Sequence, residues 1–181
     1  MKKFLDLGLQ PLANKYLTKK DLKNKKKEQF YHLEVGFDNK TKLVSILNKV
    51  PSQKMFDNSY PYRSSMSKTM TASFKKLSKK IIKDYKPKLV LEIGSNDGSL
   101  IKNFNKKNVI CVEPCKNLAV ITKNKGYKTY DDYWDMKLAK KIKLKHKNVD
   151  LIYSANTLSH IANLDSVFKS ISYIWSDDGI L

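Results

Sequence analysis

From Pro87 onward the chain alternates short apolar runs with longer amphipathic ones, and that alternation restricts the fold more than any other feature of the sequence. Residues 89–93, 109–112, 127–130 and 149–154 have the length and apolar content of buried strands, and Gly179, Ile180 and Leu181 open a fifth. Between them, residues 97–104, 117–125, 136–142 and 164–175 read as helices. Strands separated by helices pair in parallel through right-handed crossovers, so the expected fold class is α/β, a doubly wound parallel sheet. Ligands bind such sheets at the carboxyl ends of the strands. The residues to inspect therefore follow Ile93, Val112, Tyr130 and Ser154, where the sequence turns polar.

A length of 181 residues suits one sizeable core with an appended lobe. Residues 1–29 contain a turn-rich stretch from Leu7 to Asn14 and a charged run over 23–28, which together read as an arm or a small lobe. Residues 30–37 and 43–47 suggest two short strands around the turn Asp38, Asn39, Lys40. Residues 55–65 form an aromatic loop interrupted by proline, after which Met66, Met70, Phe74, Leu77 and Ile81 fall at helical spacing with a serine to cap them. The expected organisation is a lobe with its aromatic loop over 1–63, a linking amphipathic helix over 64–86, and the α/β domain over 87–181.

The pattern Glu92-x-Gly94-x-x-x-Gly98 sits between a strand and a helix. Gly94 permits a sharp turn and a close backbone approach, and Gly98 lets the helix pack tightly. A dinucleotide fingerprint would have glycine where Asn96 stands, so a pyrophosphate ligand is disfavoured. Ser95, Asn96 and Asp97 offer hydrogen-bonding groups suited to the ammonium and carboxylate of an amino acid. Glu113, about 20 residues beyond the glycine turn and at the end of its own strand, is placed to accept both hydroxyls of a ribose. The competing role for Glu92 and Asp97 is that of ion-paired or capping carboxylates.

The formal net charge of +19 would ordinarily suggest nucleic acid or an anionic membrane. Arg63 is the only arginine, however, and the lysines are spread through every segment, which fits a solvated coat better than a patch that reads phosphates and bases. The two cysteines, Cys111 and Cys115, have neither the spacing of a zinc set nor that of a redox pair, and Cys111 lies in an apolar run where a thiol is inert. No stretch is long and apolar enough for a signal peptide or a membrane span, so a cytoplasmic protein with no membrane or nucleic-acid partner is expected.

LVLEIGSNDGSL (89–100), VICVEP (109–114) and VDLIYSANTLSHI (149–161) resemble the successive motifs of class I S-adenosylmethionine methyltransferases, which have a Rossmann-like parallel sheet. More narrowly, FLDLGLQPLAN (4–14), MFDNSYPYRSSMSKTM (55–70) and ANTLSHIANLDSVF (155–168) resemble the deoxysugar C-methyltransferases, which act on ketosugar nucleotides. The resemblance implies that Glu92, Gly94, Ser95, Asn96, Asp97 and Gly98 line the methionine part of S-adenosylmethionine, that Glu113 and Pro114 meet its ribose, and that Asn156 lies beside the methyl donor. Asp131 or Asp132 would face the adenine edge. Tyr60, Tyr62, Ser64 and Ser65 would contact the sugar nucleotide. Removing a proton beside a ketone needs a base near the developing enolate. His160 is the candidate for that catalytic role and for sugar binding, whereas His32 and His146 have no such context.

Three departures from this family qualify the expectation. The relatives carry an N-terminal zinc lobe with two cysteine pairs, whereas Asp38 and Thr41 stand where the second pair would lie, so no metal is expected. The later strands and the histidine-and-carboxylate segment of the family have no counterpart before Leu181, which would leave residues 149–154 near an open sheet edge. The loop after the fourth strand reads Ser159-His160-Ile161-Ala162, only part of the acceptor machinery. The leading expectation is a C-methyltransferase of keto-deoxysugar nucleotides that is incomplete by itself. The alternatives are a non-catalytic S-adenosylmethionine-binding subunit docked on a partner chain that completes the sheet, and a nucleic-acid methyltransferase. The last is disfavoured by the absence of an Asn-Pro-Pro-aromatic sequence after the fourth strand.

Overall fold

The computed structural model describes residues 1–24 and 28–181, so Lys25, Lys26 and Lys27 of the charged run lie outside the described residues. The chain forms two compact units, Met1–Pro61 and Tyr62–Leu181.

In the first unit β1 (Lys2–Pro11), β2 (Phe30–Phe37) and β3 (Val44–Ile46) make an antiparallel sheet in that order, with α1 (Lys19–Lys23) and α2 (Ser52–Met55) in the connections. The hairpin of β2 and β3 is where the sequence places it. Of the arm and the small lobe expected for residues 1–29, the structure has the lobe: residues 2–11 are a strand that pairs along the whole of β2, from Lys2 opposite Phe37 to Pro11 opposite Phe30. Irregular register between Asp6 and Leu9 accommodates the apparent turn residues, because Gly8 takes φ +67° and donates its N–H to Asp6 Oδ1 at 2.9 Å. Lys15 pairs with Asp57 and donates to Ser59 Oγ at 2.8 Å. Burial alone would raise the Asp57 carboxyl, but Lys15 and Ser59 bring it down to about 2.

The second unit begins with α3 (Lys68–Tyr85), whose N-terminus is capped by Ser67 Oγ accepting from the Met70 N–H. The parallel sheet follows: β4 (Val90–Ile93), β5 (Val109–Val112), α4 (Lys116–Asn124), β6 (Lys128–Tyr130), α5 (Met136–His146), β7 (Val149–Tyr153), α6 (Leu164–Ile174) and β8 (Trp175–Ile180). The five strands lie in the order β6-β5-β4-β7-β8, as the α/β alternation requires. Successive residues of each strand point to opposite faces. Leu91, Ile93, Ile110, Val112 and Ile152 pack with Leu138 and Ile142 of α5 and Val167 and Ile171 of α6. Val90, Val109, Cys111 and Leu151 pack on the other side with Phe74 and Ile81 of α3 and with Leu100, Ile101 and Phe104. Each fully buried aliphatic side chain contributes roughly 1.5–3 kcal/mol of transfer free energy, so the two layers hold the sheet between helices.

Three expectations are corrected. Residues 97–104 do not form an α-helix; a turn leads into one 3-10 turn at Ile101–Asn103, where Asn103 Nδ2 donates to the carbonyls of Leu100 at 2.8 Å and Ser99 at 3.3 Å. The Leu100 carbonyl accepts the Asn103 backbone N–H as well, at 3.0 Å, so the side chain reinforces the 3-10 turn. The fifth strand starts at Trp175, directly from α6, rather than at Gly179. It pairs with β7, so β7 is an interior strand and not the edge. The register slips between Val149 and Leu151, and a Cβ at Gly179 would lie 1.9 Å from Trp175 Nε1, so glycine makes room for the indole. No described helix is long and apolar enough to cross a membrane.

Candidate functional site

The chain builds β4, β5 and β6 on one side and then crosses to β7 and β8 on the other, so the carboxyl end of β4 is the point where the winding reverses. The glycine turn lies there. Gly94 and Ser95 donate their N–H groups to the Val112 carbonyl at 2.8 and 3.0 Å, and Gly98 N–H closes on Ser95 O at 2.9 Å. Gly94, Asn96 and Gly98 all have positive φ, +75°, +51° and +82°. What approaches the Cα of Gly94 is Thr157 from the loop after β7: a Cβ there would sit 2.2 Å from Thr157 Oγ1 and 2.8 Å from its Cγ2. A Cβ at Gly98 would meet Thr122 Cγ2 at 2.9 Å, which is the close packing expected of that glycine, here against α4.

Three carboxylates converge on the turn, each in a different state. Glu92 is buried, and its Oε2 has no hydrogen-bond partner. Desolvation, partly offset by the Ile101 N–H and reinforced by the charges of Glu113 and Asp97, pushes its carboxyl well above the usual range. Glu113 is buried as well and is raised mainly by desolvation. Its oxygens are bound to backbone, Oε2 by the Asn96 N–H at 2.7 Å and Oε1 by the Cys115 N–H at 2.9 Å. Burial would raise Asp97 too, but the bonds from Ser65 and Ser99, together with nearby Lys125, bring it below its ordinary value. Ser95 Oγ is also buried, with the Cys111 thiol as its neighbour. Buried polar atoms are nearly always satisfied, so the unmet Glu92 oxygen beside this turn marks a place suited to a hydrogen-bond donor such as an ammonium. Thr157 occupies the space beside Gly94, and the unmet carboxylate oxygen of Glu92 fits the amino-acid end of the methyl donor implied by the sequence.

Segment 62–65 is joined to this turn through its backbone. Asn96 Oδ1 accepts from the Ser64 N–H at 2.9 Å, Asn96 Nδ2 donates to the Tyr62 carbonyl at 3.2 Å, and Asp97 Oδ2 accepts from the Ser65 N–H at 3.3 Å. Tyr62 and Ser65 are exposed and Ser64 is half-buried. Tyr60 belongs to the first unit, where its ring packs edge-on against Phe56 at 5.3 Å.

On the other flank, Asn156 has φ +53° and is exposed, and His160 is exposed at the end of the 3-10 turn Leu158–His160. Leu158 and Ile161 bracket it and pack against the main core, which fixes the loop. Pro114 is half-buried at the end of β5. Asp131 is paired with Lys123 at 2.8 Å, which holds its carboxyl low, and Asp132 Oδ1 accepts the Tyr133 N–H at 2.9 Å. Cys111 is buried on β5, and desolvation pushes its thiol up to about 12, the inert state expected for it. Sequence reasoning passes over Thr157, Ser99 and Lys125. Thr157 adjoins Asn156 and could have been flagged by that position, whereas Ser99, which donates to Asp97 Oδ1 at 2.7 Å, and Lys125, whose Nζ lies 3.3 Å from Asp97 O, carry no pattern of their own.

Residues 91–181 match a family model described as "Methyltransferase domain", and residues 1–56 match one described as "Putative zinc binding domain". The C-methyltransferase NovU of Streptomyces niveus is 28% identical over 94 residues, covering 51% of this chain and 22% of NovU. Among solved structures, a SAM-dependent methyltransferase from Thermotoga maritima is 20% identical with a TM-score of 0.47, covering 61% of this chain and 49% of that one. DesVI of Streptomyces venezuelae is 10% identical with a TM-score of 0.48, covering 61% and 48%. This chain thus spans less than two thirds of the length of each of these relatives.

The first unit does not fit a zinc ion. Residues 1–56 contain no cysteine and one histidine, His32, and no group of three or more His, Cys, Asp or Glu among the described residues could hold a metal. At the turn after β2, Asp38 Oδ1 accepts the N–H groups of Lys40 at 2.8 Å and Thr41 at 3.0 Å, and these bonds hold its carboxyl low. A carboxylate thus organises the turn directly. A chelator is expected to leave thermal unfolding unchanged, while Asp38→Ala lowers the midpoint for this unit. A drop on chelation, or stoichiometric zinc in the purified chain, would count against a metal-free lobe.

Proposed function

The chain belongs to the methyltransferase-domain family, and we propose on that premise that it transfers a methyl group to a carbon of a keto-deoxysugar nucleotide. Its cofactor is S-adenosylmethionine. The observation that carries the reading is the buried, unpartnered Glu92 Oε2 at the reversal point of the sheet. Glu92 and Ser95 bind the ammonium of the methionine moiety, the turn Gly94–Gly98 shapes its backbone contacts, and Glu113 with Pro114 borders its ribose. Bound cofactor supplies an electrophilic methyl group on a sulfonium. Carbon as the acceptor atom is supported by the C-methyltransferase NovU, and the sugar nucleotide by the motifs over 4–14, 55–70 and 155–168.

The acceptor lies between segment 62–65 and the loop that carries Asn156 and His160. His160 would take the proton from the carbon beside the ketone, and the methyl donor held by Glu92, Ser95 and the turn Gly94–Gly98 would supply the methyl group that this carbon accepts. Tyr62, Ser64 and Ser65 hold the sugar. Calorimetric titration with S-adenosylmethionine, followed by transfer of labelled methyl to a panel of keto-deoxysugar nucleotides, tests both halves. Absence of binding at millimolar cofactor overturns the site, and binding with methylation only of other acceptors overturns the substrate class. His160→Asn is expected to lower kcat by about 10²–10⁴-fold, the usual weight of a general base, with cofactor affinity unchanged. An unchanged kcat removes His160 from the mechanism.

A further inference from the structure

Asn96 stands in the glycine turn, yet its side chain is committed to protein. Oδ1 accepts from the Ser64 N–H and the Asp97 N–H, both at 2.9 Å, Nδ2 donates to the Tyr62 carbonyl at 3.2 Å, and its own N–H donates to Glu113 Oε2 at 2.7 Å. The residue must also hold φ +51°, a region that asparagine tolerates better than most side chains. Aspartate can accept but not donate, and glycine can do neither. Asparagine alone satisfies the torsion, two incoming N–H groups and an outgoing bond to a carbonyl.

We propose that Asn96 is a positioning residue that couples the cofactor turn to segment 62–65, so that occupancy of the turn by the methyl donor orders the backbone that faces the acceptor. The proposal rests on the reading of the turn as the donor site. The path is short and runs through hydrogen bonds: Gly94 and Ser95 hang on the Val112 carbonyl, Asn96 hangs on Glu113, and the Asn96 amide grips Tyr62 and Ser64. A displacement of the turn by a ligand moves both ends of that grip. Asp97, through Ser65, adds a weaker second tie.

Hydrogen exchange read by mass spectrometry on peptides spanning residues 62–66, with and without saturating S-adenosylmethionine, tests the coupling in the full chain. The wild type is expected to show a slow Ser64 amide that slows several-fold further with cofactor. Asn96→Gly, which keeps the torsion, speeds that amide by about tenfold or more, as loss of one bond worth about 1.4 kcal/mol would, and removes its response to cofactor. Asn96→Asp restores the slow exchange because it keeps the acceptor. Exchange in Asn96→Gly that matches the wild type, or an equal cofactor response in both, overturns the proposal. Loss of all calorimetric cofactor binding in Asn96→Gly also overturns it, in favour of a direct ligand contact. If the wild type binds no cofactor, the donor-site reading fails and the coupling with it, while the exchange difference between the cofactor-free proteins still reports the tie.

Discussion

Gly94→Ala is expected to lower the unfolding free energy by about 3 kcal/mol and to abolish cofactor binding. Two costs add. A left-handed torsion of +75° is unfavourable for a residue with a Cβ by roughly 1–2 kcal/mol, and the new methyl would overlap the Thr157 side chain, whose Oγ1 lies 2.2 Å from the added atom. Overpacking of this kind costs roughly 1–3 kcal/mol. The second cost can be isolated: Thr157→Ala removes Oγ1 and Cγ2, so the double variant Gly94→Ala/Thr157→Ala should be more stable than the sum of the single changes predicts. Additive denaturation midpoints would show that the torsion alone accounts for the loss.

The second large effect has opposite signs for stability and binding. Glu92 is buried beside Glu113 and Asp97, and its native carboxyl titrates well above the unfolded value near 4.5. The unfolded chain therefore releases this proton first. Stability from Glu92 is fully present below pH 4.5 and is lost as pH rises toward the native value. Glu92→Gln removes the ionisation, so its stability relative to the wild type should grow as pH rises above 4.5. Parallel melting curves for the two proteins across that range would contradict the assignment. The same substitution should weaken S-adenosylmethionine by about 10- to 100-fold, because a hydrogen bond to a charged partner is worth roughly 1.5–3 kcal/mol. A group that costs stability where it stands and contributes once a cation arrives is characteristic of a binding site rather than of a core.

The parts of the fold legible in the sequence are those where one period dominates. Residues 109–112 match β5, and α4, α5 and β7 fall within a few residues of their expected ends, because each is buried on a defined face. The strand β1 was obscured by Gly8 and Pro11, residues that mark turns in isolation. Pairing with β2 overrides that local signal, since the bulge absorbs the glycine and the proline falls on the last pair of the strand. The helix expected after Gly98 is replaced by a 3-10 turn, which the Asn103 side chain supports through the carbonyls of Ser99 and Leu100. In the candidate site, the motif residues can be located from sequence, and so can their position at the strand ends. Their partners cannot: that Asn96 faces Tyr62 and Ser64, or that Thr157 covers Gly94, depends on which loops the sheet brings together.

The bonds from Asn96 end on the Ser64 N–H and the Tyr62 carbonyl, while Asp97 reaches both the N–H and the hydroxyl of Ser65. The two peptide groups that Asn96 holds are present whatever side chains stand at 62 and 64, short of proline at 64. Substitutions at 62 and 64 can therefore change the surface this segment presents while leaving its tie to Asn96 intact.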